Sequence, residues 1–276
     1  MLRSWPDQIG IALLADRLVI ARASSGWRRQ LQQKETVMLP PPPEDSPRWQ
    51  PAIDALAQKI AAGELAGAEV SLVLSSSFMH YALVPWSNAL GSEEEELAFA
   101  RHCFARVHGA DAEHWELRLS AKRPDRSRLA CAAAPQLIDA LERVMAPLGT
   151  RYCSLQPYLM ASFNRWRARF NGKPCWFVTV EPGLLCVALL GDGQWLSVRT
   201  VKVGAAWLAA LPTVLKRETC LVESGTACND VWIFAADGTD PATHDAGQWQ
   251  FKNLVPSLLP GMDPGADAAY SIALRP

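Results

Sequence analysis

No uninterrupted apolar run in this chain reaches the roughly 18–20 residues needed to cross a bilayer. The opening stretch, MLRSWPDQIGIALL, lacks a long apolar core followed by a small-residue cleavage site, so no signal peptide is read there. There is no Cys-x-x-Cys pair. The seven cysteines (Cys103, Cys131, Cys153, Cys175, Cys186, Cys220, Cys228) are scattered and odd in number, which points to reduced thiols in a cytoplasmic protein. An excess of one charge is missing too. The net charge of −1 offers no global field for nucleic acid or anionic lipid, and no basic face is clustered enough to replace it.

What is present is enough for a substantial core. The chain has 276 residues, 49% hydrophobic and 20% charged, which supports two compact domains or one large domain with an insertion. Its organising stretch is Cys175 to Gly204. Trp176 to Val180, Leu184 to Leu190 and Trp195 to Val201 read as three strands, separated by Glu181-Pro182-Gly183 and Gly191-Asp192-Gly193. Pro fixes φ and Gly accepts positive φ, so both tripeptides are turn chemistry. The first two strands look apolar on both faces and belong inside a larger sheet. A similar meander opens the chain: Gln8 to Leu14, Arg17 to Ala23, then Trp27 to Leu39. Two meanders, one heading each half, predict a duplicated α/β architecture.

Between them, Pro40 to Pro43 is a stiff crossover, and Ser46 is the expected cap of a helix running from about Pro47 to Ala62. Glu69 to Leu74 is a buried strand, Ser75-Ser76-Ser77 follows, and Phe78 to Val84 is the next strand. Ser92 and Glu95 form a capping box for a helix with an acidic first turn, Glu93 to Glu96. His114 to Ser120 and Arg128 to Ala133 pair across an exposed basic turn. Helices then start at Pro135 and Pro157, flanking a strand at Thr150 to Leu155. The basic residues Arg165, Arg167 and Arg169 oppose the dipole of the second helix. Beyond the central meander come a helix at Ala205 to Leu215, a strand at Val231 to Ala235 and a closing helix at Ala268 to Leu274.

This order resembles the PilM family of actin-like proteins from type IV pilus machines, and is similar to the cytoplasmic part of the type II secretion L component and to the pilus protein MshI. The resemblance is carried by LVLSSSFMHYALVPW, SEEEELAFARHCFARVHG, RLACAAAPQLIDALERVMAPLG followed by SLQPYLMASFNRW, and DAAYSIALR. It implies an actin-like (RNase-H-like) two-domain α/β fold with a small α+β module inserted in the first domain. The expected division is 1–77 plus 150–171 for the first half, 78–149 for a β-α-β-β-α module, and 172–276 for a shortened second half.

The resemblance also identifies where nucleotide chemistry would sit, and each position departs from it. The family's first phosphate turn reads Gly-Ile-Asp-Ile-Gly; here Gly10-Ile11-Ala12-Leu13-Leu14 has Ala12 for the Asp and Leu14 for the Gly. The second turn, usually Asp-x-Gly, is Thr179-Val180-Glu181 followed by Pro182, which has no N–H to donate. The adenosine loop, usually Gly-Gly, is Ala235-Ala236-Asp237-Gly238. Three departures together predict a pseudo-ATPase with no catalytic, cofactor or metal residues. The competing reading is an active ATPase or sugar-kinase-like phosphotransferase with atypical loops, in which Glu181 replaces the catalytic carboxylate.

Other constellations carry less. His102 and His108 do not share a helix face, Ser75-Ser76-Ser77 lacks a Gly-x-Ser-x-Gly frame, and Trp166 to Phe170 reads as a dipole-compensating helix end. The resemblance implies a cytoplasmic scaffold, peripheral to the inner membrane and without direct membrane insertion. It would bind the N-terminal cytoplasmic peptide of a single-pass inner-membrane assembly protein, with self-association left open. That peptide would lie between the first half and the module, bordered by Phe78 to Val84 and by the Ser92 helix, with Tyr81, Phe99 and Phe104 as contacts. Core packing is the competing account of those three aromatics.

Overall fold

The computed structural model describes residues 6–26, 29–170, 172–222, 228–263 and 267–274. The chain opens with β1 (Gln8–Leu13), β2 (Arg17–Ala23), β3 (Leu31–Met38), α1 (Gln50–Ala61) and β4 (Glu69–Leu74). Next come β5 (His80–Val84), α2 (Glu93–His108), β6 (Glu116–Leu119) and β7 (Arg128–Ala133). α3 (Pro135–Met145), β8 (Tyr152–Pro157) and α4 (Tyr158–Trp166) lead to the second meander, β9 (Cys175–Glu181), β10 (Leu184–Gly191) and β11 (Gln194–Lys202). α5 (Trp207–Leu221), β12 (Asp230–Ala235), β13 (Gln250–Asn253) and α6 (Ala268–Ala273) follow.

The duplication expected from the two meanders is present. One sheet runs β3-β2-β1-β4-β8 and the other β11-β10-β9-β12-β13, so they match strand for strand. In each, an antiparallel meander is extended by two parallel strands. Every residue of β9 and β10 is buried, as their unbroken apolar runs require. On one face Trp207, Leu211 and Leu215 of α5 cover Val178, Val187 and Ile233. On the other, Phe177, Ala188 and Phe234 meet Tyr158, Leu159 and Trp166 of α4, which also touches Ala12, Val19 and Val73 of the first sheet. α4 is therefore the layer between the halves. Each such aliphatic or aromatic side chain contributes about 1.5–3 kcal/mol by leaving water.

The inserted module is a three-stranded sheet, β5-β7-β6, covered by α2. The capping box of α2 is formed as its spacing predicts. Ser92 Oγ accepts the Glu95 N–H at 3.2 Å, and the Glu95 carboxylate accepts the Ser92 N–H at 3.2 Å. Such a cap contributes roughly 0.5–2 kcal/mol. The fourth acidic residue of that turn, Glu96, is buried and bonded to Arg128 and Lys122.

Three expectations need correction. The module does not extend over 78–149, because α3 leaves it: Leu137, Leu141 and Met145 pack with Ile53 and Leu56 of α1 on the first sheet. Nor does the second half keep all of 172–276, because α6 crosses back and lies against β1, β2 and β4. Gly10 makes that approach fit, since a Cβ there would stand 1.9 Å from the Ala273 carbonyl oxygen. Arg165 does not serve its own helix end; it donates to the carbonyls of Ser271 and Leu274 at the end of α6. Smaller shifts are local. Trp49, not Ser46, precedes α1, without a side-chain cap. Ser76–Phe78 is a 3₁₀ turn capped by Ser75, so the next strand begins at His80. Trp27, the expected start of the third strand, lies outside the described residues.

Candidate functional site

A cleft of about 460 Å³ opens where the two meander turns face each other. Leu14 from the first turn and Pro182 from the second both line it. The Leu14 N–H is already used, donating to the Arg17 carbonyl at 3.0 Å. Ala236 and Asp237 close the cleft at the end of β12. Arg17 is the only cation among the described residues lining it, and its guanidinium is held by Asp16 at 2.6 Å. The hydrogen bond to Asp16 raises the Arg17 pKa from its ordinary value. The Tyr158 hydroxyl, at the start of α4, is buried without a hydrogen-bond partner in this wall, and burial pushes its pKa well up. What the chain places here is a largely apolar cleft whose one lining cation among the described residues is paired with Asp16.

Glu181 is in the cleft wall, but its oxygens point away into a buried junction. Oε2 accepts the Ser75 hydroxyl at 2.5 Å, and Oε1 accepts the Ser76 N–H at 3.0 Å. Ser75 also accepts the Ser77 N–H, and the Ser76 hydroxyl lies 3.3 Å from the Tyr81 hydroxyl on β5. The end of β4, the end of β9 and the first strand of the module thus meet in one polar network. Burial raises the Glu181 pKa, opposed by the bonds from Ser75 and Ser76. The serine triplet that has no nucleophile frame has this structural use.

A second concavity, about 890 Å³, lies beside the module. β5 and the last turns of α2 form one wall. The opposite wall is β11 and the end of α5, so this groove faces the second half and not the first. Tyr81 lines it, half-buried. Phe104 is fully buried in the module core and reaches the groove only as its floor. Phe99 packs against that core and does not line the groove. The residues missed by sequence reasoning, Val107, Arg106 and Arg199, are exposed and generic in type. His80, also in this wall, stacks on Trp115 with ring centroids 4.0 Å apart, and burial with His108 nearby lowers its pKa to about 4. Among the described residues no cluster of three or more His, Cys, Asp or Glu is placed to hold a metal, and all seven cysteines are free thiols.

No protein-family model matches the chain, and no curated protein matches it. Solved structures do. A chain of the PilM–PilN type IV pilus biogenesis complex superposes with a TM-score of 0.67, at 14% identity, over 96% of this chain and 97% of that one. The cytoplasmic domain of EpsL, an inner-membrane component of the type II secretion system of Vibrio cholerae, gives 0.56 at 10% identity, over 83% and 82%. A Bacteroides thetaiotaomicron protein with an actin-like ATPase fold gives 0.54 at 11% identity, over 86% and 84%. The chain has the actin-like fold. In that fold the meander turns of the two halves face one cleft, which is the arrangement of Leu14 and Pro182 here. Among the described residues no helix is long and apolar enough to cross a membrane.

Proposed function

We propose that this chain is a non-catalytic scaffold of an inner-membrane pilus or secretion assembly platform. It is recruited by a short cytoplasmic peptide of a single-pass membrane partner docking beside the inserted module. The observation that carries the non-catalytic reading is the cleft itself. Leu14 spends its N–H inside its own hairpin, Pro182 has none, and both residues line the cleft where the turns meet. Glu181, the carboxylate that the ATPase reading needs, is bonded through both oxygens to Ser75 and Ser76. The platform reading is supported by the fold shared with a chain of the PilM–PilN complex and with the EpsL cytoplasmic domain.

Calorimetric titration with ATP and Mg²⁺ tests the first part. The expected result is no saturable binding. A dissociation constant near or below about 100 µM, roughly −5.5 kcal/mol, overturns it and revives the ATPase or phosphotransferase alternative. Cell fractionation tests the second part: the protein should partition with membranes only in cells that carry the platform partner.

A further inference from the structure

The groove between the module and the second half has features that the cleft lacks. Its two walls are edge strands that lie beside each other, β5 of the module sheet and β11 of the second sheet. An edge strand carries a row of backbone N–H and C=O groups that an added extended chain can pair. β5 is at least part-buried along its length, whereas β11 is exposed at Arg199 and Thr200. The rims are apolar: Val107 on α2 is 65% exposed and Leu221 on α5 is 61% exposed. Those are two of the four large hydrophobic side chains left most open among the described residues. Isolated exposed aliphatics are common, but these two line the same groove and offer apolar surface on both of its walls.

Charge decides what that surface suits. None of the described lining residues is acidic, while Arg106 and Arg199 are exposed on opposite walls. Arg106 pairs with no carboxylate among the described residues. Glu218 turns its Oε2 toward Arg199 at 3.9 Å, while its Oε1 accepts from Arg217 at 2.7 Å. A separation of 3.9 Å is too long for a hydrogen bond, so guanidinium donors remain for a ligand. Arg106, with no carboxylate partner among the described residues, and Arg199, which shares the single carboxylate of Glu218 with Arg217, leave the groove net positive, and this attracts a partner of opposite sign and repels a basic one.

We infer that this groove is the docking site for an extended acidic segment of a partner protein. The segment runs alongside β11 where Arg199 and Thr200 are exposed, rests aliphatic side chains on Val107 and Leu221, and directs carboxylates to Arg106 and Arg199. The inference rests on the scaffold reading and narrows it to a groove and a charge.

The test is selection of displayed random peptides of about twelve residues, enough to span a strand of the β11 length and its flanks. Selection is run on the wild-type chain and on Arg106→Glu/Arg199→Glu. Wild-type enrichment should favour Asp, Glu and aliphatic residues. Synthetic copies of the winners should bind the double variant at least tenfold more weakly and lose affinity as salt rises. Because a glutamate at 199 faces Glu218, the neutral pair Arg106→Ser/Arg199→Ser is run alongside, with circular dichroism on both. Enrichment of neutral or basic peptides, or equal affinity for wild type and the folded neutral pair, overturns the inference. Cell fractionation separates the two levels. Wild type and neutral pair recruited alike means that the scaffold reading stands and this groove is wrong. Wild type absent from membranes of partner-bearing cells means that the scaffold reading itself fails, and the peptide selection then decides the groove alone.

Discussion

Replacing Glu181 with alanine removes the acceptor of the Ser75 hydroxyl and of the Ser76 N–H, both of them buried. Hydrogen bonds to a charged group contribute about 1.5–3 kcal/mol each, and each stranded buried donor costs about 1–3 kcal/mol. Against this, the carboxylate is fully desolvated, so deleting it returns part of the loss. The net expectation for Glu181→Ala is about 2–4 kcal/mol of destabilisation. Glu181→Gln keeps the side-chain length and one carbonyl acceptor for Ser76, and its amide can donate to the Ser75 oxygen. Its cost should stay within about 1 kcal/mol. The pH dependence follows from the direction of the shift. The folded-state pKa of Glu181 is raised above 4.5, so the folded chain binds this proton more firmly than the unfolded chain. Between the ordinary value and the raised one, its contribution to stability falls as pH rises, and below both values it is constant. Wild type should therefore gain stability relative to Glu181→Gln as pH is lowered through that window. Urea unfolding followed by fluorescence of the eleven tryptophans, at about pH 7 and about pH 5, reads both effects. An alanine variant within about 0.5 kcal/mol of wild type, or a wild-type-to-glutamine gap that moves the other way with pH, refutes the reasoning.

Gly10→Ala should push α6 off β1, because its Cβ would meet the Ala273 carbonyl; a cost of about 1–3 kcal/mol or more is expected. Hydrogen exchange should rise first in Ala268–Ala273, and unchanged protection there would contradict the contact. Glu96 has the opposite pH sign from Glu181: the Lys122 hydrogen bond, with help from Arg128, lowers its pKa. Its contribution is present above the ordinary value of 4.5 and is lost as pH falls through the lower folded one. Glu96→Gln should remove that part of the acid sensitivity, compared with wild type in parallel pH-dependent unfolding.

The elements of the fold were legible because they obey short-range rules. Apolar runs between Pro-Gly and Gly-Asp-Gly turns announced β9 to β11, and the Ser92–Glu95 spacing announced α2. The residue types of the two meander turns were visible, and Leu14 and Pro182 both line the cleft between the halves. The site was less legible. Glu181 could be singled out as a carboxylate, but its partners lie more than a hundred positions away, at Ser75 and Ser76. Tyr81, Phe99 and Phe104 share a type and a neighbourhood, yet one lines the groove, one only packs on the core and one is its floor.

The sequence by itself determined which segments are strands and helices, that the meander is repeated, and that no global excess of charge and no Cys-x-x-Cys pair directs the fold. Tertiary structure alone decided where α3 and α6 dock, which wall faces β5, and what holds Glu181. The reason is physical. An amphipathic face such as Leu137, Leu141 and Met145 specifies that a helix must cover an apolar surface, but any sheet within reach of the chain satisfies it. Burial is non-directional, so the choice falls to chain closure and to close contacts, such as Gly10 against Ala273, that only the assembled molecule brings together.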